Sequence, residues 1–105
     1  MRYAARTDAN QREVVDALRA FGATVLVTSQ LKNAFDILVG YRGSTYLMEI
    51  KDGEKSRSAT KLTDGEIKCA ESFAKVGVPY WIVYSAKDAI DIILGKNDSL
   101  QFNRK

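Results

Sequence analysis

Three side chains in the stretch 35-FDILVGYRGSTYLMEIKDG-53 have the types and spacing to do chemistry together: Asp36, Glu49 and Lys51. Glu49 and Lys51 sit two residues apart in an apolar run formed by Tyr46, Leu47, Met48 and Ile50. In a strand, that spacing puts both charges on one face. A charge buried among apolar residues is costly unless it is paired or binds a metal. The segment before supplies a partner. If FDILVG and TYLMEIK are joined by a two-residue loop at Arg42-Gly43, or by a four-residue loop, Phe35 faces Ile50, Ile37 faces Met48 and Val39 faces Tyr46, one continuous apolar face. The same register sets Asp36 opposite Glu49, with Cβ atoms about 5 Å apart and Lys51 following on the same face. Two carboxylates that close repel unless they share a proton or hold a cation. With Lys51 beside them, a divalent-metal site is the more economical reading.

Composition narrows the metal. The chain has no histidine and one cysteine, Cys69. Histidine-based zinc proteases, His-dependent nucleases and Ser-His-Asp hydrolases are therefore excluded, and one thiol makes neither an internal disulfide nor a zinc cluster. A catalytic metal must rest on oxygen ligands, which points to magnesium or manganese. Cys69 reads as a small buried hydrophobe.

The elements that must position these residues read helix, three strands, helix, strand, helix. A first helix is expected over Ala9 to Phe21, with Asp8 and Gln11 as a capping box and Gly22 as its stop. Val14, Ala17, Leu18 and Phe21 form its apolar stripe, and Glu13 lies at the edge of that stripe beside Ala17. Strands are expected over Ala23–Ser29, Phe35–Gly40 and Thr45–Lys51. A polar loop follows, 52-DGEKSRSATK-61, and then a second helix from Asp64 to Val76, capped by Thr63. A strand over Tyr80–Tyr84 and a helix from the Ser85 cap through Leu94 complete the order. The tail KNDSLQFNRK is expected to fray. On the second helix, Ile67, Ala70, Phe73 and Ala74 define the buried stripe at about 100° per residue, and Glu66 falls within it. Glu66 has two open readings: a capping-box partner of Thr63, or a carboxylate aimed at the sheet. Tyr80, Trp81 and Tyr84 read as core and rim.

The 105 residues suit one domain, with a core over about 9–95. They are 46% hydrophobic and 28% charged, ordinary for a globular protein. Sixteen Lys and Arg against 13 Asp and Glu give a net charge of +3, which permits a polyanionic partner without demanding one. No apolar run reaches the roughly 18 residues of a membrane span, and the polar N-terminus lacks the apolar stretch of a signal peptide. The simplest compartment is the cytosol.

An E-x-K tripeptide alone is common on solvated strands. Joined to an aspartate at matching register and to this order of elements, it resembles the PD-(D/E)XK nuclease superfamily. The closer resemblance is to the VRR-Nuc branch, the virus-type replication-repair nucleases, and within it to small stand-alone phage and bacterial members. The stretches that carry it are 35-FDILVGYRGSTYLMEIKDG-53, 60-TKLTDGE-66 and 79-PYWIVYSAKDAI-90. The resemblance implies an α/β fold with a restriction-endonuclease-like core, a mixed sheet flanked by helices. It implies that Asp36, Glu49 and Lys51 are the motif residues. Asp36, Glu49 and the backbone carbonyl of Ile50 would hold magnesium, which manganese could replace. Glu13 matches an acidic residue on the first helix of many members, and would bind the same metal through water or help a second one. Glu66 stands where several relatives carry glutamine, and would support the site. The proline that often precedes the motif aspartate is Phe35 here. The implied activity is magnesium-dependent hydrolysis of DNA, selective for branched structures as in Holliday-junction resolvases. A homodimer is the implied assembly, in a bacterium or phage-infected cell. Lys55, Arg57 and Lys61 are the expected backbone contacts to DNA. A nicking or flap-type nuclease, a non-catalytic DNA-binding module of the same fold, and a structural protein with an acidic surface pair are the rival readings.

Overall fold

The computed structural model describes residues 5–52 and 61–102. Helix α1 (Ala5–Ala20) leads into strands β1 (Thr24–Val27), β2 (Ile37–Tyr41) and β3 (Ser44–Ile50). Helix α2 (Asp64–Lys75), strand β4 (Tyr80–Val83) and helix α3 (Ala86–Ile93) follow. The four strands form one sheet in the order β1-β2-β3-β4. The first three make an antiparallel meander, and β4 runs parallel to β3. A parallel neighbour needs a crossover connection, and α2 provides it.

Helices cover both faces of the sheet. On one face Val14, Val15 and Leu18 of α1 and Ala89, Ile92 and Ile93 of α3 pack on Val25, Ile37, Val39, Met48, Ile50, Trp81 and Val83. On the other, Ala70 of α2 packs with Leu47 and Tyr80, joined by Phe35, Leu38, Leu62, Cys69 and Phe73. The alternation of side chains along β3 divides it between these layers. Leu47, Met48, Glu49 and Ile50 are consequently all buried, and this doubly covered end of β3 carries the glutamate.

The expected hairpin forms. Ile37 pairs with Met48, Val39 with Tyr46 and Tyr41 with Ser44. Arg42 (φ 48°) and Gly43 (φ 84°) make the two-residue loop, both left-handed, as the turn that matches strand twist requires. The register stops short of the expected last rungs. Asp36 N–H donates to the Met48 carbonyl at 3.0 Å, so Asp36 and Ile37 both face the one residue Met48, the mark of a bulge. Phe35 is thereby turned to the α2 side while Ile50 stays on the α1–α3 side. The expected Phe35–Ile50 pairing is not made, because the extra residue at the bulge reverses the alternation.

Other boundaries shift for local reasons. Helix α1 begins at Ala5, four residues before the expected start, so Asp8 lies inside the helix and not at its cap. Gly22 (φ 105°) stops the helix as expected. Val15 joins Val14 and Leu18 in the core, while Phe21 is 44% exposed. On α2, Ala74 is exposed and Cys69 takes the inward place beside Ala70 and Phe73. The tail is not frayed through residue 102: Asp98–Leu100 form a 3-10 turn, Gln101 bridges to Trp81, and Phe102 N–H donates to the Tyr80 carbonyl at 2.6 Å. At the open edge of the sheet, Arg19 Nη2 donates to the Val25 carbonyl at 2.9 Å. Among the described residues, no helix is long and apolar enough to cross a membrane.

Candidate active site

Glu49 projects from β3 on the α2 side of the sheet and is 5% exposed. Lys51 follows just beyond the strand, its N–H donating to the Val83 carbonyl at 2.8 Å, so the β3–β4 pairing still fixes its backbone. Its ammonium lies 3.5 Å from Glu49 Oε2 and 3.2 Å from Glu66 Oε1. Asp36 enters from the bulge. Its Oδ2 accepts the Ile50 N–H at 2.8 Å, which holds the carboxylate against the backbone beside Glu49. The structure thus brings Asp36, Glu49 and Lys51 together as the spacing predicts, through a bulge and not through a continued ladder.

Glu66 satisfies both of its readings at once. Thr63 N–H donates to Glu66 Oε1 at 2.9 Å, and Glu66 N–H donates to Thr63 Oγ1 at 3.2 Å, a complete capping box. The same Oε1 receives the Lys51 ammonium. One oxygen therefore starts α2 and holds the lysine of the site.

Electrostatics separates the acids. Burial is the largest influence on Glu49, reinforced by the nearby Asp36 charge and the bond to Glu66, and its carboxyl is pushed up to about 9. It holds its proton at neutral pH. Asp36 is also raised by burial, partly offset by the Ile50 N–H and by Lys51. Glu66 goes the other way: burial opposes its ionisation, but the Thr63 N–H, the bond from Glu49 and the Lys51 charge together hold it below the usual range. Burial disfavours the Lys51 ammonium, yet the Glu49 and Glu66 carboxyls outweigh that and raise it. At neutral pH the arrangement is a protonated Glu49 bonded to an ionised Glu66, which in turn faces a charged Lys51.

The remaining expected residues are placed as follows. Glu13 is exposed on α1. The α1 side chain that reaches the site strand is Asn10, whose Nδ2 donates to the Lys51 carbonyl at 3.0 Å. Nothing in the sequence singles out Asn10, because its partner is a backbone carbonyl 41 residues away. Lys61 is exposed just ahead of α2, whereas Lys55 and Arg57 lie outside the described residues. Among the described residues, no group of three or more His, Cys, Asp or Glu is arranged to hold a metal ion.

No family model matches this sequence, and no curated protein does. A solved structure titled "VRR_NUC domain" superimposes with a TM-score of 0.64 at 24% identity, covering 86% of this chain and 96% of that one. The mixed four-stranded sheet flanked by three helices is thus the fold of a VRR_NUC domain.

Proposed function

We propose that this chain is a magnesium-dependent endodeoxyribonuclease that hydrolyses phosphodiester bonds in branched DNA, acting as a homodimer. The observation that carries the reading is the convergence of a buried and a half-buried carboxyl, Glu49 and Asp36, with Lys51 3.5 Å from Glu49, at the end of β3 in this fold.

The donor set fits a hard divalent ion. Its side chains offer only oxygen, and magnesium characteristically takes one or two carboxylates and keeps several waters. The protonation of Glu49 expresses the same need for positive charge, since burial and Asp36 drive a proton onto it. Asp36, Glu49 and the Ile50 carbonyl would hold the ion, with Glu13 reaching it through water, and manganese would substitute. When bound, the ion would supply Lewis-acid stabilisation of charge on the phosphate.

The chain's own groups do the rest. Among the described residues, Lys51 is the cation that ion-pairs with Glu49. Held between Glu49 and Glu66, it is placed to orient an attacking water or to stabilise charge growing on a phosphate oxygen. Glu66 fixes that ammonium from the helix side, and the cap it completes sets its own position. Lys55, Arg57 and Lys61 would meet the sugar–phosphate backbone, giving salt-dependent affinity with little sequence preference. One subunit of this size offers little surface to grip a four-way junction, which favours a symmetric dimer.

The test is incubation of labelled linear, flap and four-way DNA with the protein, with and without magnesium, beside Lys51→Ala. Magnesium-dependent cuts in the four-way substrate, absent for Lys51→Ala, support the reading. Preferential flap or nicking activity would replace the branched-DNA assignment. Binding without cleavage in magnesium or manganese would leave a DNA-binding module in place of an enzyme.

A further inference from the structure

Asp36 stands outside regular structure, at the end of the segment from Thr28 to Phe35 that connects β1 to β2. A carboxylate delivered by such a segment is only as well placed as the backbone beneath it. Three successive carbonyls of that backbone are held, one by Tyr80 of β4 and two by Thr28 at the start of the segment. The Ala34 carbonyl accepts from the Tyr80 hydroxyl at 2.6 Å. The Phe35 carbonyl accepts from Thr28 Oγ1 at 2.7 Å. The Asp36 carbonyl accepts from the Thr28 N–H at 2.8 Å. The Asp36 N–H is itself engaged by Met48. Tyr80 is 1% exposed, and its phenol runs beneath α2 from β4 to this segment. A hydroxyl so buried must find a partner, and here the partner is the backbone two residues before the aspartate.

We infer that Thr28 and Tyr80 are positioning residues for Asp36. Their hydroxyls clamp the Ala34 and Phe35 carbonyls, hold the bulge, and thereby keep the Asp36 carboxylate on the Ile50 N–H. The two clamps come from β4 and from the residue just past the end of β1, so they fix the segment from both sides. Neither touches a reacting group; each acts through the backbone of Asp36. The inference rests on the proposed nuclease reading only for its kinetic consequence.

The test uses Thr28→Val and Tyr80→Phe, which remove a hydroxyl and keep the apolar bulk, with Thr28→Ser as the conservative variant. In the metal-free protein, hydrogen exchange at the Ile50 amide reports the Asp36 contact directly. Its rate is taken relative to the Met48 and Val83 amides, which general loosening would accelerate equally. The expected result is a rise in that ratio of about three- to tenfold in Thr28→Val and Tyr80→Phe, the worth of one hydrogen bond, with Thr28→Ser at the wild-type ratio. Half-maximal cleavage should require about three- to tenfold more magnesium, while DNA affinity in EDTA is unchanged. An unchanged Ile50 ratio in the folded variants overturns the inference, whatever the cleavage result. If the wild type cleaves nothing, the nuclease reading fails and the exchange ratio still decides the clamp. Should Tyr80→Phe not fold, Thr28→Val, altered at a half-buried side chain, decides it alone.

Discussion

Replacing Glu49 by Gln in the metal-free protein removes one titration and leaves a side chain of nearly the same shape. The Gln amide can still donate to Glu66, as the protonated Glu49 does. In the unfolded chain Glu49 ionises near its ordinary value of 4.5, whereas in the fold it keeps its proton up to about 9. Between these two values the folded state binds more protons, so this group contributes most favourably below pH 4.5 and that contribution is lost as pH rises. Each pH unit in that window costs about 1.4 kcal/mol. From 4.5 to neutrality the loss reaches about 3 kcal/mol, and it is an upper bound because rearrangement around an ionised Glu49 would relieve part of it. Glu49→Gln escapes this loss. The variant should gain on wild type steadily as pH rises, by up to about 3 kcal/mol between pH 4.5 and 7. For a domain of this size that corresponds to a melting-temperature gain on the order of 10 °C. Urea unfolding of both proteins in EDTA, at fixed ionic strength from pH 5 to 8, measures the gap. Groups common to the two proteins cancel in the difference. A gap that stays constant across that range would refute the reasoning, because it would mean that Glu49 ionises alike in the folded and unfolded chains.

Magnesium or manganese at millimolar concentration should raise the melting temperature of the wild type, and Asp36→Asn and Glu49→Gln should each lose the gain, as read by thermal unfolding with and without EDTA. Lys51→Ala should abolish cleavage while retaining most DNA affinity; the combined change of Lys55, Arg57 and Lys61 to Ala should weaken binding and flatten its salt dependence in proportion to the phosphates those three side chains neutralise, measured by titration across a salt series. Glu66→Gln should keep the cap, with stability within about 1 kcal/mol of wild type, yet slow cleavage by removing the charge that faces Lys51; equal cleavage rates for Glu66→Gln and wild type across a magnesium series would confine Glu66 to the cap. Gly65→Ala, worth up to about 1 kcal/mol in an open helix, should fail to stabilise, because the added Cβ would lie 2.9 Å from Asn33 Cβ and closer still to its amide; in an Asn33→Gly background, where φ of 58° suits glycine, urea unfolding should show the same change to be stabilising.

The parts of this site that were legible in the sequence are those set by short-range periodicity. The two-residue alternation of β3 puts Glu49 and Lys51 on one face, the hydrophobic match fixes the pairing of Ile37 with Met48, and the helical angle of Glu66 aims it at the sheet. What was not legible depends on backbone bonds across long separations. The bulge at Asp36 arises where the β1–β2 connection meets Met48, and no residue type announces it, since any residue can offer the N–H involved. Asn10 and Tyr80 each act through a main-chain carbonyl far away in the chain, and Thr28 through one seven residues on in its own connecting segment. Such partners leave no compositional trace. Tyr80 is readable as a buried aromatic from its neighbours in YWIV, but the target of its hydroxyl exists only once the segment carrying Ala34 has been folded beneath α2.

The placement of the acids at the doubly covered end of β3 has a consequence for how the site must be supported. A carboxyl at an open strand end would ionise freely and attract a hydrated cation only weakly. Buried between two helical layers, Glu49 is driven to hold a proton. The same burial would scatter the cluster if the groups could turn away from one another. Each is prevented by a bond to something rigid: Asp36 by the Ile50 N–H, Glu66 by the Thr63 N–H at the start of α2, and the Lys51 backbone by Val83 and Asn10. The site therefore opposes stability through its carboxyls and recovers rigidity through the backbone around them. Substitutions that relieve the charge should stabilise the fold at the expense of the site, whereas substitutions at the anchors should loosen the site without any comparable gain in stability.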